Sequence, residues 1–91
     1  MNNRNNETYL NHPTFGLLYR VCIVQDKQEL YTTLYAQRLF FLVTLSATHM
    51  NVEPISRSDA RILVEGRLRK LRVTDSLTEY QQLQSIYKRT F

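Results

Sequence analysis

The sequence predicts an α+β fold, a small antiparallel β-barrel followed by a C-terminal two-helix hairpin. Three observations carry that expectation. Apolar residues alternate with a period of two from Leu17 to Gln25 and in the runs that follow, the period lengthens to that of a helix after Pro54, and composition shifts at the same point. Residues 1–53 balance Arg4, Arg20, Lys27 and Arg38 against Glu7, Asp26, Glu29 and Glu53, so the whole formal charge of +4 lies in residues 54–91. Seven of the ten aromatics, Tyr9, Phe15, Tyr19, Tyr31, Tyr35, Phe40 and Phe41, precede position 53. The expected organisation is a flexible polar tail at 1–8, a β domain at 9–53 and a helical hairpin at 54–91.

The first strand runs from Leu17 to Gln25, with Leu17, Tyr19, Val21 and Ile23 on one face and Leu18, Cys22 and Val24 on the other. Asp26-Lys27-Gln28 supplies the turn. Leu30 to Tyr35 is a second β-rich run and Arg38 to Leu45 a third, separated by Ala36-Gln37, and Met50 to Glu53 is a candidate fourth. Short strands so closely spaced point to a strongly bent antiparallel barrel of the SH3-like or Tudor-like kind.

After Pro54, Ala60, Leu63, Val64, Leu68 and Leu71 form one apolar stripe, while Arg57, Arg61, Glu65, Arg69 and Arg72 line another face. Ser56 or Ser58 caps the start of this helix. Ser76-Leu77-Thr78-Glu79 fits a capping box for the second helix, which continues the stripe through Leu77, Tyr80, Leu83, Gln84, Tyr87 and Phe91. Lys88 and Arg89 sit favourably at its C-terminal dipole. The short Val73-Thr74 connection makes the pair antiparallel.

A chain of 91 residues has room for one modest core, which excludes a multidomain enzyme. Cys22 is the only cysteine, so neither an internal disulfide nor a cysteine-based zinc site is expected, and the expected compartment is the reducing cytosol. The polar lead from Asn2 to Glu7 lacks a signal peptide's apolar stretch, and the longest apolar run, Leu39 to Val43, is too short to span a membrane. His12 and His49 have no carboxylate or cysteine at metal-ligand spacing. With no nucleophile elbow and no phosphate-cradling glycine loop, the residues point away from an enzyme and require no cofactor. Cys22, inside an alternating run, reads as a small buried hydrophobe.

The more informative feature is an apolar surplus. Leu39, Phe41, Val43 and Leu45 occupy one strand face while Phe40 and Leu42 occupy the other, although a barrel has one interior. The outer residues need cover from the helical hairpin, from the N-terminal segment or from another protein. Tyr9, Phe15 and Tyr35 add to the surplus, and aromatics beside Arg38 make the kind of amphipathic cluster that anchors protein partners. A rival reading places phosphate contacts on Arg57, Arg61, Arg67, Arg69, Lys70 and Arg72, as in a small nucleic-acid-binding barrel with a basic hairpin. Against it, Asp59 and Glu65 interrupt the charge, and no aromatic alternates with the arginines.

Two long blocks carry a resemblance: Tyr9-Leu10-Asn11-His12-Pro13-Thr14-Phe15-Gly16-Leu17-Leu18-Tyr19 and Leu34-Tyr35-Ala36-Gln37-Arg38-Leu39-Phe40-Phe41-Leu42-Val43. Together with Glu53-Pro54-Ile55, Ala60-Arg61, Arg67-Leu68-Arg69, Glu79-Tyr80 and Lys88-Arg89-Thr90-Phe91, they make residues 7–91 resemble the PipX family of cyanobacterial PII-interacting proteins. The Asn-rich lead, Thr44 to Val52 and Val73 depart from the family pattern.

The resemblance implies a Tudor-like β domain, two C-terminal helices and a non-enzymatic regulatory role, with the protein a monomer when free. Such proteins coactivate the nitrogen-control transcription factor NtcA, a dimer, when 2-oxoglutarate is high, and they do not read DNA themselves. When 2-oxoglutarate is low, the trimeric PII signal protein sequesters them between its body and its T-loops; ADP favours that complex, and ATP with 2-oxoglutarate disfavours it. Carried over by position, the partner-binding residues are Glu7, Tyr9, Thr14, Phe15, Gly16, Tyr35, Gln37, Arg38 and Phe41, with barrel core as the alternative for Phe41. Helix-borne contacts at Arg61, Arg69 and Arg72, toward RNA polymerase or another transcription regulator, are a further implication.

Overall fold

The computed structural model describes residues 8–34 and 39–91. Five strands, β1 (Tyr9–His12), β2 (Gly16–Gln25), β3 (Gln28–Thr33), β4 (Phe40–Leu45) and β5 (Met50–Ile55), precede two helices, α1 (Arg57–Val73) and α2 (Leu77–Thr90). The strands form one antiparallel sheet in the order β1-β2-β3-β4-β5, curled into a half-barrel. This is the α+β fold expected from the sequence. Of the expected N-terminal tail only Thr8 is described, and its carbonyl accepts a hydrogen bond from the Arg20 backbone N–H.

Cross-strand register sorts the apolar residues onto two faces. Leu18, Tyr31, Phe41 and Val43 cluster on one, with Leu10 of β1 and Val52 of β5 packed against them. Among the described residues no helix contributes to this cluster. The other face carries Val21, Cys22, Leu30 and Phe40 under Ala60, Val64, Leu71 and Leu83 of the helices. Phe40 is therefore covered by the chain's own hairpin.

Strict alternation along β2 does not hold. Arg20 pairs with Tyr31 while Cys22 pairs with Leu30, so Val21 is an extra residue at a β-bulge. Leu18 consequently faces the curl whereas Val21 and Cys22 both face the helices, and the expected sharing of one face by Leu18 and Cys22 is overturned. A second irregularity separates Ile23 from Gln25. The turn to β3 is tight, since Gln25 pairs with Gln28 and Lys27 takes a left-handed φ of 64°. Two further strand expectations change. β1 went unanticipated, and β5 continues through Pro54, which an edge strand tolerates because its missing N–H leaves no central ladder bond unmade.

The Ser56 side chain accepts a hydrogen bond from the Asp59 N–H, which decides between the two expected caps of α1. Ala60, Val64 and Leu71 are buried, with Leu63 and Leu68 packed beside them. The helix runs through Val73 and ends at Thr74, after which Asp75 turns with φ 61°. The expected capping box of α2 does not form: Ser76 makes no side-chain cap bond, and Glu79 reaches Arg67 of α1 at 3.0 Å instead. Tyr87 donates to Glu65, while Arg57 donates to the Thr90 carbonyl and lies 5.7 Å from the Phe91 ring centroid. Phe91 stacks on Phe40, joining the end of the hairpin to the sheet.

Candidate partner-binding surface

The β1–β2 connection organises the expected site. His12 Nδ1 accepts hydrogen bonds from the backbone N–H groups of Thr14 (3.0 Å) and Phe15 (3.3 Å), closing the turn on a side chain. Because that nitrogen is an acceptor, the neutral ring carries its proton on Nε2. Gly16 completes the turn with φ 80°, and a Cβ there would meet nothing within 4 Å, so its requirement is conformational rather than steric.

This turn brings three rings together. Phe15 lies 4.9 Å from the His12 ring and 4.7 Å from Phe41, centroid to centroid. Phe15 remains 37% exposed, whereas Phe41 is 1% exposed and belongs to the core beneath the curl. The choice left open for Phe41 thus falls to core in the free chain, and Phe15 presents the aromatic surface above it. Tyr9, 49% exposed, sits differently: its register partner is Tyr19, with ring centroids 6.3 Å apart, on the helix-side face of the edge strand. A partner touching both Tyr9 and Phe15 has to reach around the β1 edge.

Glu7, Tyr35, Gln37 and Arg38 lie outside the described residues. The residues flanking positions 35–38 are held close to the same turn: the Leu34 N–H donates to the Leu17 carbonyl, and Leu39 accepts from Thr33 N and from Thr32 Oγ1. Leu39, part of the apolar surplus read from the sequence, is half exposed. Sequence reasoning missed the part played by His12. From sequence, His12 stands out only as lacking partners at metal-ligand spacing and as part of the Tyr9–Tyr19 block, while its place ahead of Pro13-Thr14 in a turn is the cue to side-chain capping.

The helix-borne candidates divide into engaged and free cations. Arg61 pairs with Glu65 at 3.4 Å, and Arg57 and Arg67 are tied to Thr90 and Glu79. Arg69, Lys70 and Arg72 are exposed and make no ion pair among the described residues. On β2 and β3, Arg20 pairs with Glu29 at 3.3 Å, and Glu29 also accepts from the Tyr31 hydroxyl. Burial, reinforced by Glu29, pushes the Tyr31 phenol up to about 12. Burial likewise pushes the Cys22 thiol up to about 12, which removes the thiolate that nucleophilic or metal-binding chemistry needs.

A cleft of about 750 Å³ between β2 and α2 is lined by Arg20, Cys22, Glu79, Leu83, Ile86 and Arg89 among others. Among the described residues no group of three His, Cys, Asp or Glu side chains is placed to hold a metal ion, and no helix is long and apolar enough to cross a membrane. The arrangement offers an aromatic, hydrogen-bonded rim at the β1–β2 turn.

The family model described as PipX, PII-interacting protein X, matches residues 6–91. Among curated proteins none matches the chain.

Proposed function

Because the chain belongs to the PipX family of PII-interacting regulatory proteins, which is not an enzyme family, we propose that it is an adaptor exchanged between two partners according to 2-oxoglutarate status. At high 2-oxoglutarate it coactivates the NtcA dimer. At low 2-oxoglutarate the PII trimer sequesters it. One surface serves both partners, so each complex excludes the other, and effector sensing belongs to the partners through their differential affinity for the shared protein. In this reading residues 9–53 are the binding unit and residues 54–91 an appendage whose position differs between complexes.

The observation that best supports a protein-binding role is the placement of Phe15. Its ring is exposed on one side and backed by Phe41 on the other, and its backbone N–H is bound by His12. An aromatic anchor immobilised before binding loses little entropy when a partner covers it. Tyr9, Thr14 and Gly16 surround it in sequence, and Glu7, Tyr35, Gln37 and Arg38 complete the proposed contact set. The nucleic-acid reading is weakened because Arg57, Arg61 and Arg67 are spent on contacts within the hairpin.

Pull-down with PII and, separately, with NtcA tests the exchange. PII should capture the protein with ADP and release it with ATP plus 2-oxoglutarate, whereas NtcA should gain it with 2-oxoglutarate. Capture by neither partner under any condition overturns the proposal.

A further inference from the structure

One imidazole nitrogen holds two peptide groups of the turn that carries Phe15. His12 Nδ1 accepts from the Thr14 N–H at 3.0 Å and from the Phe15 N–H at 3.3 Å, and among the described residues no backbone carbonyl takes either donor. The half-buried His12 ring also lies 4.9 Å from that of Phe15, so it touches the exposed aromatic from the side while Phe41 backs it from below. The orientation of Phe15 thus depends on one side-chain acceptor.

Histidine is an unusual choice for that task, because its charge changes between pH 5 and 8. Protonation turns Nδ1 from an acceptor into a donor and sets its N–H against two other N–H groups. The observed arrangement then has no bond to offer either peptide, and the charged ring must turn toward water. Asparagine closes such turns without titrating, since its Oδ1 is bonded to Cγ as Nδ1 is and can accept from the N–H two residues on. Capping alone therefore does not call for an imidazole.

The adjoining strands bring little charge to the ring. β1 and β4 carry no charged residue besides His12 itself, and the one cation of β2, Arg20, is held by Glu29 of β3. Tyr9 and Tyr19 are the other titratable groups on β1 and β2. His12 takes part in no ion pair among the described residues, and Glu7 and Arg38 lie outside them. The second imidazole, His49, bonds within the β4–β5 connection.

We propose that His12 is a proton-operated positioning residue of the Phe15 surface: the neutral ring holds the turn in its binding form, the protonated ring releases it, and partner affinity falls as pH drops through the histidine range. The link to affinity rests on the Phe15 surface being the one that partners bind. The state of the turn itself can be read without a partner.

The test compares the full-length parent with His12→Asn and with His12→Gln, whose amide sits one bond farther from the backbone. In the free, isotopically labelled parent, the Thr14 and Phe15 amides should shift in step with the His12 ring between pH 8 and 5.5, and ring contacts between Phe15 and Phe41 should weaken, while the amides of Val64 and Leu83 hold still. In His12→Asn the Thr14 and Phe15 amides should stay in place, and His12→Gln should resemble the acid form of the parent at every pH. Affinity for PII with ADP, measured on all three, cancels the partner's own pH response. The ratio of parent to His12→Asn affinity should fall by about tenfold from pH 8 to 5.5, as expected for the loss of two backbone hydrogen bonds. Thr14 and Phe15 amides that stay still while the ring titrates would overturn the proposal, as would a His12→Asn turn that follows pH, a His12→Gln turn that matches the neutral parent, or a constant affinity ratio. A turn that titrates as described in a chain that PII captures at no pH supports the positioning role and counts against the adaptor reading instead.

Discussion

The ring of Phe15 rests on that of Phe41 with centroids 4.7 Å apart and planes inclined by 44°, although Phe15 is a surface residue and Phe41 a core one. The pair therefore couples the proposed interface directly to the packing beneath the curl, and two substitutions separate its roles. Phe41→Ala should cost about 3–5 kcal/mol, because it opens a cavity beside Leu18, Tyr31 and Val43. Phe15→Ala should cost about 1 kcal/mol in stability, since much of the ring already faces water, while removing most of the affinity for PII. Urea denaturation and titration calorimetry on both variants read the two effects. Unchanged PII affinity in a folded Phe15→Ala variant would remove Phe15 from the interface.

Gly16 offers a test of conformation without sterics. Its φ of 80° lies in the left-handed region, and a Cβ added there would have no neighbour within 4 Å. Gly16→Ala should therefore lose about 1–2 kcal/mol from backbone conformation alone, and Gly16→Asn should recover part of it, because asparagine enters that region more readily. Thermal midpoints give the order Gly, Asn, Ala. If alanine matches glycine, the turn relaxes to another conformation and the orientation of Phe15 changes with it.

Cys22 and Tyr31 set the alkaline limit. Burial is the principal cause for both, raising each group to about 12 in the folded chain, above the ordinary values near 9 for the thiol and 10 for the phenol. Below those ordinary values both states are protonated and stability is at its plateau. As pH rises the unfolded chain ionises first, so stability falls from about pH 9 and continues to fall toward pH 12. Cys22→Ala should flatten the decline between pH 9 and 10 while lowering the plateau slightly. Urea midpoints at pH 8, 9 and 10 measure the slope, and an identical slope in the variant would show that the thiol titrates normally.

The fold was legible in the sequence where one rule acted alone. The period change after Pro54 located the hairpin, and the alternation of Phe40 with Phe41 correctly placed adjacent rings on opposite faces. It was obscured where a local insertion reversed the pattern: Val21 reads as one more alternating residue, and only pairing with β3 reveals it as a bulge. β1 escaped because Asn11 and His12 are weak strand formers in a four-residue element, and its existence depends on pairing with Leu17 to Tyr19. Ser76 and Glu79 had capping-box spacing, but an arginine on the neighbouring helix competes for that carboxylate, which no local motif encodes. At the candidate site, sequence marked Phe15 and Gly16, whereas the sharing of work between exposed Phe15 and buried Phe41 required the tertiary fold.

The Glu65–Tyr87 hydrogen bond predicts a two-sided pH profile for the hairpin. The bond from the Tyr87 hydroxyl is the principal cause that lowers the Glu65 carboxyl, with Arg61 adding to it, and the same bond raises the Tyr87 phenol. A lowered carboxyl contributes stability above its unfolded value, about 4.3, and loses that contribution as pH falls through the folded value. A raised phenol contributes below its unfolded value, about 10, and loses that contribution as pH rises through the folded one. Tyr87→Phe removes the donor and keeps the ring beside Phe91. Its destabilisation relative to the parent should thus be largest between about pH 5 and 9 and shrink toward both ends. Paired urea profiles across that span give the difference directly, and carbon-detected titration of Glu65 should show its carboxyl moving up in the variant. A difference that stays constant with pH would mean that the hydroxyl acts through packing rather than through the charged bond.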